Sequence, residues 1–317
     1  MMSDLLSTYE QAAGAEVVEH LRQLARPMVG AKVVHVNSTR QGGGVAEILH
    51  KLIPLKQALG LDAQWEVIRG GAAFYECTKS FHNALQGNRV HIPKHLLSHF
   101  EETNEQNAEE LRPLLEDADF VFIHDPQPAP LLALCPNRRG KWIWRCHIDL
   151  SHPHRKVWDY LRPWVARYDA SVFSLPEFSQ ELPHPQYLIP PSIDPLSEKN
   201  VNLPAKEVES VLHGFGIDPD IPLVVQVSRF DRFKDPVGVI QAHKLVNKAT
   251  PVQLVLAGGD ATDDPEGAAV LDEVRAEAGD DERIHVLGLP SDAHRTINAL
   301  QRGADIVNDT ERVRVGR

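Results

Sequence analysis

The 317-residue chain is 42% hydrophobic and 24% charged, enough apolar content to bury cores in about two domains. Its 33 basic and 44 acidic residues leave a net charge of −11, which argues against a sequence-independent nucleic-acid binder. No run approaches a membrane span, Met-Met-Ser-Asp-Leu-Leu at the N-terminus lacks a signal-peptide pattern, and Cys77, Cys135 and Cys146 fit neither a disulfide framework nor a zinc site; a soluble cytoplasmic protein is expected.

In chain order, residues 5–28 are helical in pattern and form an N-terminal extension, bounded at 1–29. Lys32–Asn37 reads as a strand, Gly42-Gly43-Gly44 as a loop, and Val45, Ile48, Leu49, Leu52, Ile53 and Leu55 as a helix ending at Gly60. A strand at Trp65–Ile68, a long polar helix over 94–117, and strands at Phe120–Ile123, Trp142–Trp144 and Ala170–Phe173 follow. Five prolines between 183 and 195 mark a stiff connection and a domain boundary. Beyond it, strands are predicted at Leu223–Val227, Gln253–Ala257, Ile284–Leu287 and Ala304–Val307, with helices after Pro236, over 264–278 and over 291–301. The alternation predicts an α/β protein with two doubly wound, Rossmann-type domains, 30–188 and 189–317, facing a cleft that would hold the ligand. Only 122 residues follow Pro195, so the second domain is expected to be incomplete.

The motifs sit at strand ends. Gly42-Gly43-Gly44 can bring backbone N–H groups and a helix N-terminus to a phosphate, or be a tight strand-to-helix turn. It does not match the dinucleotide pattern G-x-G-x-x-G, which disfavours a nicotinamide enzyme. Ser228-Arg229-Phe230-Asp231-Arg232-Phe233-Lys234-Asp235-Pro236 offers two cations, Arg229 and Lys234, for a diphosphate; the alternative is a solvated loop in which Asp231 and Asp235 pair them. Trp144-Arg145-Cys146-His147-Ile148-Asp149 and His124-Asp125-Pro126-Gln127-Pro128 end two further strands. His147 and Asp149 are ligand types for a metal, but the spacing matches no metal template and no metal is assigned. Gly258-Gly259-Asp260 is a turn or a nucleotide-side approach. No G-x-S-x-G, C-x-x-C or Walker A pattern is present.

Together these blocks, with Asn37-Ser38-Thr39 before the glycines and Val45-Ala46-Glu47 after them, resemble trehalose synthases of the glycosyltransferring type. These are retaining GT-B glycosyltransferases related to fungal trehalose phosphorylases. The resemblance spans about residues 30–307 and implies transfer of glucose from a nucleoside-diphosphate-glucose to glucose. It implies a diphosphate held by Arg229 and Lys234 and approached by Gly43 and Gly44, a sugar touched by His147 and Asp149, and Asp125 and Gln127 on the acceptor side. It implies no metal and no cofactor, with sugar and sugar nucleotide as the expected partners; a homodimer is kept as a candidate assembly on which the sequence itself is silent. The family continues after Ala304–Val307 into a Glu-Gly-Phe-Gly-Leu motif. Here Asn308-Asp309-Thr310-Glu311 stands instead, so Glu311 is not matched to the family glutamate. A chain truncated there is expected to be a weak catalyst or a non-catalytic fragment; a phosphorylase is the other alternative.

Overall fold

The computed structural model describes residues 2–41, 43–259, 265–290 and 292–308. The chain divides into two compact units, Met1–Ile193 and Asp194–Arg317.

The first unit opens with two helices, α1 (Met2–Ala13) and α2 (Ala15–Ala25), and a short 3-10 turn at Arg26–Met28. Then come β1 (Lys32–Asn37), α3 (Gly44–Ala58), β2 (Asp62–Val67), α4 (Ala72–Leu85), α5 (Lys94–Asp117) and β3 (Phe120–His124). The series closes with α6 (Leu131–Leu134), β4 (Lys141–Arg145), α7 (Arg155–Val165), β5 (Ala170–Phe173) and β6 (Gln186–Leu188). The six strands form one parallel sheet in the order β2-β1-β3-β4-β5-β6. The chain leaves β1 toward β2 on one side and returns to β3 on the other, so the topological switch lies between β1 and β3. In open parallel sheets this is where ligands bind, beyond the carboxyl ends of the strands.

Alternation along the strands separates two buried layers. Val34, Val36, Val121, Ile123, Trp142, Trp144 and Phe173 of the strands face α4, α5 and α7, where Phe74, Phe81 and Phe100 are fully buried. Helix α5 is polar overall, yet Leu96, Phe100, Asn104, Asn107, Ala108 and Leu115 make one buried stripe at helical spacing. On the opposite face Val33 packs with Leu49 and Ile53 of α3 and with Trp65. Burying an aromatic or branched side chain contributes about 1.5–3 kcal/mol, so the two layers supply most of the drive to fold. Strand β2 begins at Asp62, earlier than the apolar run at Trp65–Ile68 predicts. It is an edge strand, paired with β1 from Lys32↔Asp62 onward, so its alternate positions can be polar.

The second unit contains α8 (Ala205–Gly214), β7 (Leu223–Val227), a 3-10 turn at Arg232–Lys234, α9 (Pro236–Val246) and β8 (Gln253–Gly259). It continues with α10 (Pro265–Ala278), β9 (Ile284–Leu289), α11 (His294–Gly303) and β10 (Ile306–Val307). Its four described strands are parallel in the order β10-β7-β8-β9, which puts the switch between β7 and β10. The predicted strand at Ala304–Val307 is shorter than expected, because Asp305 is used differently.

One device recurs at the amino ends of the strands. Asp119, just before β3, donates its N–H to Lys32 O and accepts Lys32 N–H on its carboxylate, both at 2.9 Å. Asp169, before β5, clasps Trp142 of β4 in the same way at 2.9 and 2.8 Å, and Asp305, before β10, clasps Leu223 of β7 at 2.9 and 2.8 Å.

Candidate active site

The carboxyl ends of β1, β3 and β4 carry a concentration of polar side chains in an otherwise apolar sheet. Asn37 ends β1 almost fully buried. Its Oδ1 accepts Trp65 Nε1–H at 2.8 Å and its Nδ2 donates to Thr39 O at 2.8 Å. Arg40 then donates to Trp65 O at 2.7 Å and lies 4.5 Å over the Trp65 ring, fixing the loop that leads to α3. Gly43 has φ 79° and ψ 154°, a conformation essentially restricted to glycine, and its Cβ position is open space. Gly44 is also open around its Cβ position, and the amino end of α3 has no side-chain cap. Gly42 lies outside the described residues.

Three histidines form a hydrogen-bonded row across the sheet. His35 Nδ1 lies 2.9 Å from His124 Nε2, and His124 Nδ1 lies 2.9 Å from His147 Nε2. The far end is closed by Lys56 of α3, whose Nζ is 2.8 Å from His35 Nε2 and 4.5 Å over the Phe122 ring. Register makes this line: His35 pairs with Phe122, and His124 with Arg145, so all four side chains project from the face that α3 covers. His35 stacks on Phe122 with ring centroids 4.7 Å apart, while His35, His124 and His147 lie side by side and nearly coplanar, successive centroids 5.2 Å apart along the N···N contacts. His35 and His124 are 2% and 4% exposed, and burial holds both well below the usual histidine range, with the Lys56 charge adding to the effect. His147 is also lowered, first by burial, although Asp125 opposes the shift. Burial brings Lys56 down to about 8.

Asp125 adopts a left-handed backbone with φ 62°, which is uncommon for a residue with a side chain. The turn lets its Oδ1 accept His147 N–H at 2.7 Å, while its N–H donates to Arg145 O at 2.9 Å and its carbonyl accepts Trp144 Nε1–H at 2.9 Å. The His-Asp-Pro-Gln-Pro and Trp-Arg-Cys-His-Ile-Asp blocks are thus joined at their centres. Asp149 Oδ1 accepts Ser151 N–H at 2.8 Å. Gln127 Oε1 is buried without a hydrogen-bond partner among the described residues, and Gln127 O accepts Asn104 Nδ2–H at 3.1 Å. The first unit therefore gathers His147, Asp125, Asp149 and Gln127 behind the ends of β3 and β4.

In the second unit, Arg229 and Lys234 lie on the segment after β7, at that sheet's own switch point. Arg229 is exposed and 3.4 Å from Asp231 Oδ2, so part of the pairing that the solvated-loop alternative foresaw is present. Asp231 Oδ1 also accepts Phe233 N–H at 2.8 Å, and Gln226 Nε2 donates to Lys234 O at 2.9 Å, which anchors the turn to β7. A Cβ on Gly258 of β8 would stand 2.3 Å from Ser228 O, so only glycine lets this loop lie against β8. Asp260 and residues 309–317, with Glu311, lie outside the described residues.

Residues 35–180 match the family model described as Trehalose synthase, N-terminal domain. Across 307 residues the chain is 43% identical to the trehalose synthase of Thermococcus litoralis, covering 95% of this chain and 74% of that protein. The chain belongs to the trehalose synthase family. A trehalose phosphorylase of Grifola frondosa is 29% identical over 77% of this chain and 39% of its own length. The trehalose-6-phosphate protein of E. coli bound with UDP-2-fluoro glucose superposes with a TM-score of 0.69, over 89% of this chain and 78% of that one. At 14% identity that likeness concerns the fold, which is GT-B, and the family membership makes the chain an enzyme of the glycosyltransferase type. Within this family frame, the residues that sequence reasoning left aside are Lys56, His35 and His124 as side chains of a site. The one local signal was His35, a titratable group inside the valine run of β1. No helix of the described residues is long and apolar enough to cross a membrane.

Proposed function

We propose that the chain is a retaining glucosyltransferase that makes α,α-trehalose from a nucleoside-diphosphate-glucose and glucose. The observation that carries this reading is the 43% identity to a trehalose synthase over 95% of the chain, with the His-Asp-Pro-Gln-Pro and Trp-Arg-Cys-His-Ile-Asp blocks bonded to each other through Asp125 and His147. The UDP-2-fluoro glucose bound by the E. coli structural neighbour supports a nucleotide-sugar donor.

In this reading His147 touches the transferred glucose, and Asp149 accepts from its hydroxyls. Asp125 keeps its second carboxylate oxygen for an acceptor hydroxyl, and the unpartnered Gln127 Oε1 accepts another. Arg229 and Lys234 bind the leaving diphosphate, whose charge grows as the bond to carbon 1 lengthens. Gly43 and Gly44 let backbone N–H groups at the start of α3 approach phosphate. The bond from carbon 1 to the phosphate oxygen breaks with its electron pair going to the diphosphate. The acceptor oxygen bonds carbon 1 on the same face, and the acceptor proton passes to a phosphate oxygen. No metal, cofactor or protein nucleophile takes part.

The test incubates the purified protein with UDP-, ADP- and GDP-glucose plus glucose and measures trehalose by NMR. Trehalose made in step with free nucleoside diphosphate supports the proposal. Glucose 1-phosphate formed from trehalose and inorganic phosphate, with no nucleotide dependence, would replace it with a phosphorylase.

A further inference from the structure

We infer that Lys56, acting through His35 and His124, fixes the tautomer of His147 so that its outer nitrogen, Nδ1, carries the hydrogen. The hydrogen-bond row leaves no other arrangement. An ammonium has hydrogens and no lone pair, so Lys56 can only donate, and His35 Nε2, 2.8 Å away, must accept. A neutral imidazole has one N–H, so His35 then carries it on Nδ1 and donates to His124 Nε2. By the same step His124 carries its hydrogen on Nδ1 and donates to His147 Nε2. His147 is left with Nε2 occupied as acceptor and with its hydrogen on Nδ1, which has no hydrogen-bond partner among the described residues.

The reverse polarity would set His35 Nε2–H against an ammonium hydrogen, two donors facing each other in a buried site. A cationic imidazole anywhere in the row would do the same, and the burial of His35 and His124 already excludes the extra charge. Stacking of His35 on Phe122 keeps its plane from turning away, and the small angles between successive imidazoles keep their ring nitrogens in line. Lys56 is itself held over the Phe122 ring, so the donor at the head of the row is fixed in place.

Lys56 is therefore a positioning residue. Acting through the row, it decides whether His147 meets a sugar oxygen as a donor or as an acceptor. That consequence rests on the proposed contact of His147 with the transferred glucose, whereas the tautomer itself does not. Supporting groups that orient a working side chain typically change activity by about 10–100-fold when removed.

The decisive measurement is long-range 1H–15N correlation on protein labelled with 15N-histidine at pH 7, with His147 assigned by its loss in His147→Gln. In the wild type His35, His124 and His147 are expected as Nδ1–H tautomers. Lys56→Met, which removes the obligatory donor, should shift His147 toward the Nε2–H form, and Lys56→Arg, another donor-only group, should restore Nδ1–H. In the trehalose assay Lys56→Met should lower kcat about 10–100-fold with little change in KM for the nucleotide sugar, and Lys56→Arg should recover most of the loss. An Nε2–H signal for His147 in the wild type overturns the inference, even if Lys56→Met does not fold. An unchanged tautomer in folded Lys56→Met overturns it too. If the wild type makes no trehalose, the proposed function fails while the spectrum still decides the relay.

Discussion

Lowering the pH from 7.5 to 5.5 is expected to cost the first unit about 3 kcal/mol of folding stability, from two histidines that titrate only when unfolded. His35 and His124 cannot take a proton in the native row, because they are buried and because every ring nitrogen is already committed to a neighbour. In the unfolded chain both regain the ordinary value near 6.5. Below that value the unfolded state binds more protons than the native state, so stability falls as the pH falls. With both rings kept neutral by the row, each group contributes a loss of up to about 1.4 kcal/mol at pH 5.5, and His147, lowered first by burial, adds in the same direction. His184 of the first unit, also lowered first by burial, adds in the same direction. The five tryptophans, Trp65, Trp142, Trp144, Trp158 and Trp164, all lie in the first unit, so intrinsic fluorescence follows its unfolding alone. With a urea slope of about 2 kcal/mol/M, the midpoint should drop by roughly 1.4 M between the two pH values. A shift under about 0.3 M would show that the histidines protonate within the fold and would refute the neutral row.

Arg229→Ala and Lys234→Ala should each lower kcat for trehalose formation by about 10²–10³, and near-normal turnover in both would remove them from the diphosphate site. Gly43→Ala should destabilise the first unit by about 1–3 kcal/mol through its positive φ, whereas Gly44→Ala, with open space at Cβ, should leave the urea midpoint unchanged while weakening nucleotide-sugar binding in calorimetry. The thiols of Cys77, Cys135 and Cys146 are buried and pushed upward, Cys77 to about 12 and Cys135 to about 11. They should react with a thiol reagent only in denaturant, and rapid labelling of the native protein would contradict the packing around them.

Much of the fold is legible in the chain because the strands of a parallel sheet are apolar runs bounded by loops. Lys32–Asn37, Phe120–Ile123 and Leu223–Val227 announce themselves in this way. Helix α5 is readable from its stripe of buried positions, and α9 from Pro236 at its start. The motif ends of β3 and β4 are likewise visible as His124-Asp125 and His147-Ile148-Asp149. The histidine row was not, because no local spacing encodes it. Its members come from β1, β3, the segment after β4 and α3, and only the inter-strand register sets His35 beside Phe122 and His124 beside Arg145. The helices α4 and α7 escaped for a different reason. One follows Gly70-Gly71 and the other a stretch crowded with His152, Pro153 and His154, where loop chemistry masks the start of an apolar stripe.

The aspartates Asp119, Asp169 and Asp305 grip strands at the end of each sheet remote from the candidate active residues. Their effect is to set the phase of the strands. A slip of one residue between β1 and β3 would send His35 and Phe122 to opposite faces and dissolve the row about 13 Å away, without any change at the site itself. A carboxylate that seals two backbone groups at one margin of the sheet thus acts at a distance on which atoms meet at the other. Loss of catalysis on replacing Asp119 would be a fault of alignment rather than of chemistry, and the remote margin belongs to the functional architecture as much as the side chains it keeps in step.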